Sequence, residues 1–169
     1  MKKTRFHQWP CPVARAVDVV GDGWTLLILR EAFYGLRRFD QFEAALGIGR
    51  NILARRLHRM VEEELLERVP YQRRPLRHEY QLLPRGRALF PVLMALLRWG
   101  ADWASGAEGS PVALVDRRTG QAVRPALVDE ATGVALTPER VRARPGTGFP
   151  PALLEDPVVR RRFRLDPPG

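Results

Sequence analysis

Apolar residues in the first part of the chain recur at helical spacing, and glycines separate the segments that they form. Pro12 suits a first helical position and Gly21 ends the apolar run after it, which predicts a first helix between them. In "DGWTLLILREAFYG" apolar residues lie nearly all round the helix, so we expect a buried central helix capped by Asp22. "DQFEAAL" predicts a short third helix with a capping box between Asp40 and Glu43.

The next segment, "GIGRNILARRLHRM", combines an apolar stripe of helical period with four arginines. Leu53, Leu57 and Met60 fall on one face of the predicted helix and would hold it to the protein. Two helices joined by a tight turn, the second with one face packed on the protein and the other exposed, are typical of a helix-turn-helix. Its second helix enters the DNA major groove. The polar face and its edges carry the residues expected to bind DNA, namely Arg50, Asn51, Ile52, Arg55, Arg56 and Arg59.

Two stretches of alternating character follow, residues 66–71 and 77–82, on either side of the connection "QRRPL". This pattern predicts an antiparallel hairpin, with Val69, Tyr71, Tyr80 and Leu82 as its inner residues. Its tip would carry three arginines and form the wing of a winged helix. The predicted fold class is therefore mainly α with a small β wing, and the wing residues expected to bind DNA are Arg73, Arg74 and Arg77.

A long helix is predicted over residues 84–103, bent or restarted at Pro91. It carries two apolar stripes, one of which can cover the core of its own domain. We expect the other to meet the same helix of a second copy, although a bundle inside one chain is the alternative. The predicted dimer interface comprises Phe90, Met94, Leu97 and Trp103.

After Trp103 the composition changes, and "ASGAEGSP" is typical of a linker. The segments "VDRRTGQAVRP" and "VDEATGVALTP" repeat with a spacing of thirteen residues, and each predicts a strand, a Thr-Gly turn and a strand. We therefore divide the chain into residues 1–105, a winged helix-turn-helix and dimerisation domain, and residues 106–169, a small extension rich in β-hairpins that ends in the basic tail "RRRFR".

Charge favours a polyanionic partner for the first of these regions. The chain has 28 basic and 19 acidic residues, and through Ser105 the counts are 18 and 11. An arginine-rich, solvated surface is the alternative explanation of the same excess. The sequence contains no nucleophile elbow, phosphate loop or paired-carboxylate motif, and the extension lacks Cys and His, so neither an enzyme nor a zinc site or other cofactor is expected. With no signal peptide or membrane-spanning run, we expect a cytoplasmic, nucleoid-associated protein.

Taken in order, several motifs of the first 103 residues resemble the HxlR family of winged-helix bacterial transcriptional regulators. They are "CPVARAVDVVGDGWTLLILRE", "RRFDQFEAALGIGRNILARRL", "LLERVPYQ", "HEYQLLPRGRAL" and "LRWGADW". The resemblance implies a homodimer joined through its N-terminal and final helices that binds an inverted-repeat operator. This sequence departs from the family's pattern at Gly49, where Ser is usual, at Glu64, near a usual Gly, at Leu83, where Thr is common, and at Arg73, near a common acid.

Cys11 directly precedes Pro12 at the start of the first predicted helix, with His7 and Arg15 one turn away on either side. A helix N-terminus and neighbouring cations make a thiol more reactive. The resemblance adds that this cysteine senses oxidants or electrophiles in some members of the family. Cys11 is thus either a redox sensor or an inert residue that packs at the helix start.

Two other functions remain open at this point. The chain could be an architectural winged-helix protein that binds DNA with little sequence preference and senses nothing. It could also be a regulator that answers to an unidentified small molecule or oxidant, with a pocket near Trp24, Trp99 and Trp103, although these side chains could equally form core. For the favoured interpretation, a sequence-specific regulator, we assign base contacts to Asn51 and Arg55. Phosphate contacts are assigned to Arg50, Arg59 and the wing arginines, of which Arg74 is the candidate for the minor groove.

Overall fold

The computed structural model describes residues 6–165. Within them, helices and two strands follow one another in the order that the sequence predicts for a winged helix, with a further short helix near the end. The elements are α1 Pro12–Val20, α2 Gly23–Phe33, α3 Phe39–Leu46, α4 Arg50–Glu62, β1 Leu66–Arg73, β2 Leu76–Leu82, α5 Pro84–Arg87, α6 Phe90–Trp103, the 3-10 helix Pro151–Leu153 and α7 Pro157–Phe163.

Helix α2 is the centre of the winged helix, since it contacts α3, α4 and α6. As predicted, Asp22 caps it: its carboxylate accepts hydrogen bonds from Thr25 N at 3.0 Å and from Thr25 Oγ1 at 2.6 Å. The core lies between these helices and the base of the hairpin. Its buried apolar side chains are Ile28, Leu29, Phe42, Ile48, Leu53, Leu57, Met60, Leu65, Leu66 and Leu93.

The start of α3 differs from the prediction of a capping box between Asp40 and Glu43. The helix begins at Phe39 with Arg38 as its N-cap, two residues before the predicted cap Asp40, and the residue that reaches back is Gln41 instead of Glu43. Its Oε1 accepts hydrogen bonds from the backbone N–H groups of Arg37 and Arg38, at 3.0 and 2.9 Å. The amide at this position satisfies donors that would otherwise be open at the helix start, so the register of the cap moves back by two residues.

The wing is the predicted antiparallel hairpin, in which Leu66 pairs with Leu82 and Arg73 with Leu76. Its pairing shifts by one residue between Pro70 and Gln72, so that Tyr71 lies at an irregularity. The segment before α3 joins the sheet, because Tyr80 N donates to the Arg37 carbonyl at 2.7 Å. Of the predicted inner residues, Tyr80 and Leu82 pack against the core, and Val69 and Tyr71 are half-buried.

The predicted long final helix is broken into α5 and α6, and α6 has Pro91 in its first turn. In α5 the backbone of Gly86 lies so close to the hairpin base that a Cβ atom would come within 2.2 Å of the Leu65 carbonyl oxygen. Glycine is therefore required where the chain leaves the wing.

The two predicted hairpins after Trp103 are smaller than expected. Each repeat forms a turn closed by a single bridge, Val115 with Ala122 and Val128 with Ala135, and no longer ladder. The Asp116 carboxylate accepts from Thr119 N at 2.7 Å, and the Asp129 carboxylate from Thr132 N at 2.8 Å. These local bonds close the turn inside each bridge, and outside it Val123 N donates to the Leu114 carbonyl and Leu136 N to the Leu127 carbonyl. The predicted basic tail lies largely in α7, which includes Arg160–Phe163.

Of the described residues, 19–125 form one compact unit, and residues 6–18 with 126–165 form another. The first unit contains the winged helix and the first repeat, while the second unit contains the second repeat and α7. The predicted boundary after residue 105 lies inside the first unit, and as a statement about independent folding it stays a prediction. In the described part of the chain no helix is both long and apolar enough to cross a membrane.

Candidate nucleic-acid interface

Helix α4 is fixed in the winged helix by three buried side chains on one face, Leu53, Leu57 and Met60, as the sequence predicts. Its N-cap is Gly49, whose carbonyl accepts from the N–H groups of residues 52 and 53, without a side-chain cap. At the other end Leu65 N donates to the Met60 carbonyl, and Glu64 N donates to that of Val61. This is a Schellman motif, and Glu64 occupies its left-handed position at a φ of 55°.

The outward face of α4 presents Asn51 and Arg55 at its start. Both side chains are exposed, and within residues 6–165 neither has a hydrogen bond or ion pair. Ile52, the one apolar residue predicted to bind DNA, lies beside them and is 36% exposed. An amide and a guanidinium at the N-terminal end of such a helix can donate and accept at base edges in a major groove without first losing a protein partner.

Two further arginines of α4 have acidic neighbours. Arg50 Nη1 lies 3.3 Å from Glu43 Oε2, and its guanidinium stands 5.4 Å from the centre of the Phe39 ring. Arg59 Nη2 lies 4.0 Å from Glu63 Oε1, one turn along the helix. An exposed pair such as that of Arg50 contributes little to stability, so its guanidinium can turn to phosphate at small cost. The Arg59 side chain is half-buried.

Arg56 points away from the face that Asn51 and Arg55 share. Its Nη1 lies 3.3 Å from Asp22 Oδ2, the same carboxylate that caps α2, and the Arg56 side chain is only 28% exposed. The sequence placed Arg56 at an edge of the DNA-binding face. The structure places it between α4 and the start of α2, and its contact with DNA stays a prediction.

The wing tip carries the predicted arginines on its turn and the residues next to it. Arg73, Arg74 and Arg77 are all exposed, and Arg74 stands in the two-residue turn between the strands. Gln72 Nε2 donates to the Arg74 carbonyl at 3.0 Å and so ties the turn to β1. The tip thus concentrates positive charge on a short, locally braced loop.

Sequence reasoning missed an open groove of about 470 Å³ between the wing and the starts of α3 and α4. Arg38 and Arg68 line it together with the predicted residues Arg50 and Arg77. The signal available in the sequence was the pair Arg37-Arg38 before α3, but only the pairing of that segment with β2 brings Arg38 to the wing.

Comparison with known proteins identifies the family of this arrangement. A family model described as HxlR-like helix-turn-helix matches residues 19–108, more than half of the chain. The chain belongs to the HxlR-like helix-turn-helix family. It is accordingly a winged-helix transcriptional regulator, and its partner is DNA.

Relatives of this HxlR-like regulator include the HTH-type transcriptional regulator Rv3095 of Mycobacterium tuberculosis, which is 44% identical over 137 residues, or 81% of this chain and 87% of the relative. The HTH-type transcriptional regulator sll1512 of Synechocystis is 39% identical over 55% of this chain and 70% of its own. Among solved structures, PA1607 covers 85% of this chain and all of its own, at 43% identity and a TM-score of 0.77. The redox regulator HypR in its reduced form covers 58% of this chain and 98% of its own, at 26% identity and a TM-score of 0.53.

In helix α6 of this HxlR-like regulator, the exposed apolar residues are not the same set as the residues predicted for the dimer interface. Met94 packs against the core and Leu97 is half-buried. Phe90 lies against Phe33 with ring centres 5.2 Å apart, and it is still 46% exposed. Only Trp103 of the predicted set lies in the exposed stripe. That stripe follows the spacing i, i+4, i+7, i+11, and its members are Val92, Leu96, Trp99 and Trp103, with exposed fractions of 43, 46, 61 and 78%.

Cys11 of this HxlR-like regulator directly precedes α1 and is partly exposed, with a free thiol. The cations expected to activate it have other neighbours: Arg15 Nε donates to the Trp9 carbonyl at 3.1 Å, and His7 Nδ1 lies 3.9 Å from Asp18 Oδ2. The backbone carbonyl of Cys11 accepts a hydrogen bond from Arg15 N, so Cys11 lies at the first turn of the helix.

Proposed function

We propose that this HxlR-like protein is a sequence-specific regulator, a repressor or auto-regulator, that binds an inverted-repeat operator as a homodimer. The observation that carries the proposal is the exposure of Asn51 and Arg55 at the start of a helix held by three buried residues, without a side-chain partner among residues 6–165. A helix placed in this way has its base-reading groups free and its position fixed.

The residues of the interface divide into two roles. Asn51 suits an adenine edge and Arg55 a guanine edge, each bidentate contact contributing about 1–3 kcal/mol of discrimination. Arg50, Arg59 and the wing arginines Arg73, Arg74 and Arg77 contact phosphates, and Arg74 at the tip enters the minor groove. Ile52 supplies an apolar contact to a thymine methyl group. Arg56 is a positioning residue.

The exposed stripe of α6 supports a homodimer. Four large apolar side chains on one helical face form a patch that is unusual on a monomeric surface. A second copy of α6 offers the same stripe, so a two-fold contact is self-complementary. The two recognition helices would then reach half-sites about one DNA turn, ~34 Å, apart, and the operator would be an approximate palindrome.

The family membership and the lack of a catalytic motif support a regulator that is not an enzyme and carries no cofactor. Among the described residues no group of three or more His, Cys, Asp or Glu side chains could hold a metal ion. Regulation by an oxidant at Cys11, or by a small molecule, is part of the proposal. The similarity to HypR, a redox regulator, favours the oxidant.

Selection of genomic fragments by the purified, reduced protein at near-physiological salt tests the proposal first. Recovery of a few palindromic sites would support a specific regulator and identify its targets. Enrichment without a common sequence would favour the architectural alternative, and the base-reading roles of Asn51 and Arg55 would then be withdrawn.

Two variants test the assignment of bases on a selected site. Asn51→Ala and Arg55→Ala should each lose about 5- to 150-fold in affinity for the selected site and little for unrelated DNA. The matched control is Arg118→Ala, an exposed arginine of the first repeat. Equal loss on both DNAs would contradict a role in base reading.

The dimer is tested by sedimentation of the Trp99→Glu variant, which should be monomeric at concentrations where the unaltered chain is dimeric. The control Tyr34→Glu alters an aromatic residue of similar exposure, 56%, outside α6, and should stay dimeric. A dimer that persists in Trp99→Glu would remove the stripe from the interface.

The redox role is tested by DNA binding before and after treatment with an oxidant. The unaltered protein should lose affinity on oxidation, and Cys11→Ser should keep it. If the oxidant has no effect, or an equal effect on both proteins, Cys11 is the inert helix-start residue and the effector is a different one.

A further inference from the structure

The groove between the wing and the recognition helix is built from three separate elements of the winged helix. The start of α3 contributes Arg38, the start of α4 contributes Arg50, and the wing contributes Arg68 and Arg77. Aromatic rings of Phe39, Tyr71 and Tyr80 form much of its apolar wall. The groove is open to solvent, so a chain that passes across the surface can enter it from the side.

Positive charge exceeds negative charge in this groove. Four guanidinium groups line it, against the single carboxylate of Asp40. Glu43 lies beside Arg50, and Glu79 of β2 lies 3.9 Å from Arg37, so these acids compensate only one of the four lining arginines and one neighbour. An anion that enters the groove therefore meets a net positive field.

Arg38 is held in place without losing its charge to an acid. Its guanidinium carbon lies 4.5 Å from the centre of the Tyr71 ring, and within residues 6–165 it has no acidic partner. Stacking on an aromatic ring fixes the plane of a guanidinium while its N–H groups stay available to an oxyanion. On the wing side, Arg68 Nη2 lies 3.0 Å from His78 Nδ1, which braces the second cation.

The position of the groove indicates which anion it takes. A winged helix inserts its recognition helix into the major groove and its wing into the adjacent minor groove. The ridge that separates these two grooves of a duplex is a sugar–phosphate backbone, so this ridge has to pass between α4 and the wing.

We propose that the groove binds a backbone phosphodiester of the bound duplex. Arg38 makes the central contact, and Tyr71 positions Arg38. The inference rests on the proposed function, because it requires the recognition helix and the wing to bind the same duplex. It adds to the interface a site on α3 that belongs neither to the recognition helix nor to the wing tip.

Arg38→Gln is the variant that tests the contact, and Arg37→Gln is its matched control. Arg37 is the adjacent residue in the chain, equally cationic and exposed, but it does not line the groove. Affinity is measured against salt concentration on a selected site and on an unrelated duplex. Arg38→Gln should lose roughly tenfold on both duplexes, with their ratio unchanged, and the slope of log K against log salt should fall by about 0.9. Arg37→Gln should leave the slope unchanged.

Variants of Tyr71 test whether its ring must hold the Arg38 guanidinium in place for Arg38 to bind DNA. Tyr71→Phe keeps the ring and should bind DNA normally, whereas Tyr71→Leu should lose part of the affinity that Arg38→Gln loses. Combining Tyr71→Leu with Arg38→Gln should add little to the loss in Arg38→Gln alone. Additive losses would overturn the positioning role. Thermal unfolding of each variant confirms that it is folded.

The outcomes distinguish this inference from the proposed function. If the unaltered protein shows no salt-dependent DNA binding, the proposed function itself fails. If it binds DNA, but Arg38→Gln and Arg37→Gln have equal slopes, only the phosphodiester contact is overturned. Titration with inorganic phosphate tests whether the groove binds a free anion instead. If phosphate binding saturates and Arg38→Gln abolishes it without changing DNA binding, the groove is a site for a free anion. This result would also overturn the phosphodiester contact.

Discussion

The winged helix and the two repeats that follow it are stabilised by different kinds of interaction. Every buried apolar side chain among the described residues lies between Ile28 and Leu93. The repeats contain no buried side chain, and each is instead closed by the bonds of one aspartate to a threonine three residues later. Burial specifies the first region through residues far apart in the chain, whereas local hydrogen bonds specify the second.

A matched pair of leucine truncations gives the largest expected difference between the regions. Leu57→Ala, at a fully buried position of α4, should lower the free energy of unfolding by about 2–5 kcal/mol. Leu127→Ala, at a position 69% exposed directly before the second repeat, should change it by less than about 0.5 kcal/mol. Denaturant unfolding measures both, and a large loss in Leu127→Ala would show that the repeat buries this residue in a contact with another copy.

Gly86 tests how closely the backbone packs in the first region. The added methyl group of Gly86→Ala would overlap the Leu65 carbonyl, so we expect a loss of about 2–3 kcal/mol of stability in denaturant unfolding. Gly23→Ala is the control, because a Cβ at Gly23 meets nothing within 4 Å and the residue begins α2. Similar stabilities for the two variants would contradict the close approach of α5 to the hairpin base.

Glu64 is a place where the first region uses an unfavourable local conformation. Its φ of 55° lies in the left-handed region, which favours glycine, yet Glu64 carries a side chain. Glu64→Gly should raise stability by about 0.5–1 kcal/mol, because relief of the left-handed strain outweighs the added freedom of the unfolded chain. Glu64→Ala removes the same carboxylate but keeps Cβ, so it should show no such gain in thermal unfolding.

The smallest expected effect concerns the repeats and depends on pH. The backbone N–H of Thr119 holds the pKa of Asp116 below the ordinary aspartate value of 3.8, and the Thr132 hydroxyl does the same for the pKa of Asp129. Since the folded pKa is the lower one, the stabilisation is present above about pH 3.8 and is lost as pH falls through the folded values.

Chemical shifts of the Thr119 and Thr132 amides should report this loss in the acid range, while amides of the core helices stay protected from exchange. Asp116→Asn should abolish the titration at the first turn and leave that at the second. If both turns stay intact when their aspartates are protonated, the local bonds do not stabilise the repeats and the contrast with the core fails.

The sequence by itself determined the order and approximate bounds of the elements of the winged helix and the inward face of α4. Periodicity, caps and turn residues act over a few positions, so they can be read without knowing what each helix packs against. The same reason explains why Leu53, Leu57 and Met60 are buried as predicted and why Asp22 caps α2. Glu64, near which the family resemblance implies a glycine, is the left-handed residue that ends α4.

Only the tertiary structure decided which polar and apolar groups meet across the chain. Arg56 pairs with Asp22, more than thirty residues earlier in the chain. Arg38 reaches the wing because its segment pairs with β2, and Met94 turns to the core while Trp99 stays exposed. A helical pattern fixes which residues share a face, but the orientation of that face depends on the summed packing of all its neighbours, and no local stretch of sequence contains that sum.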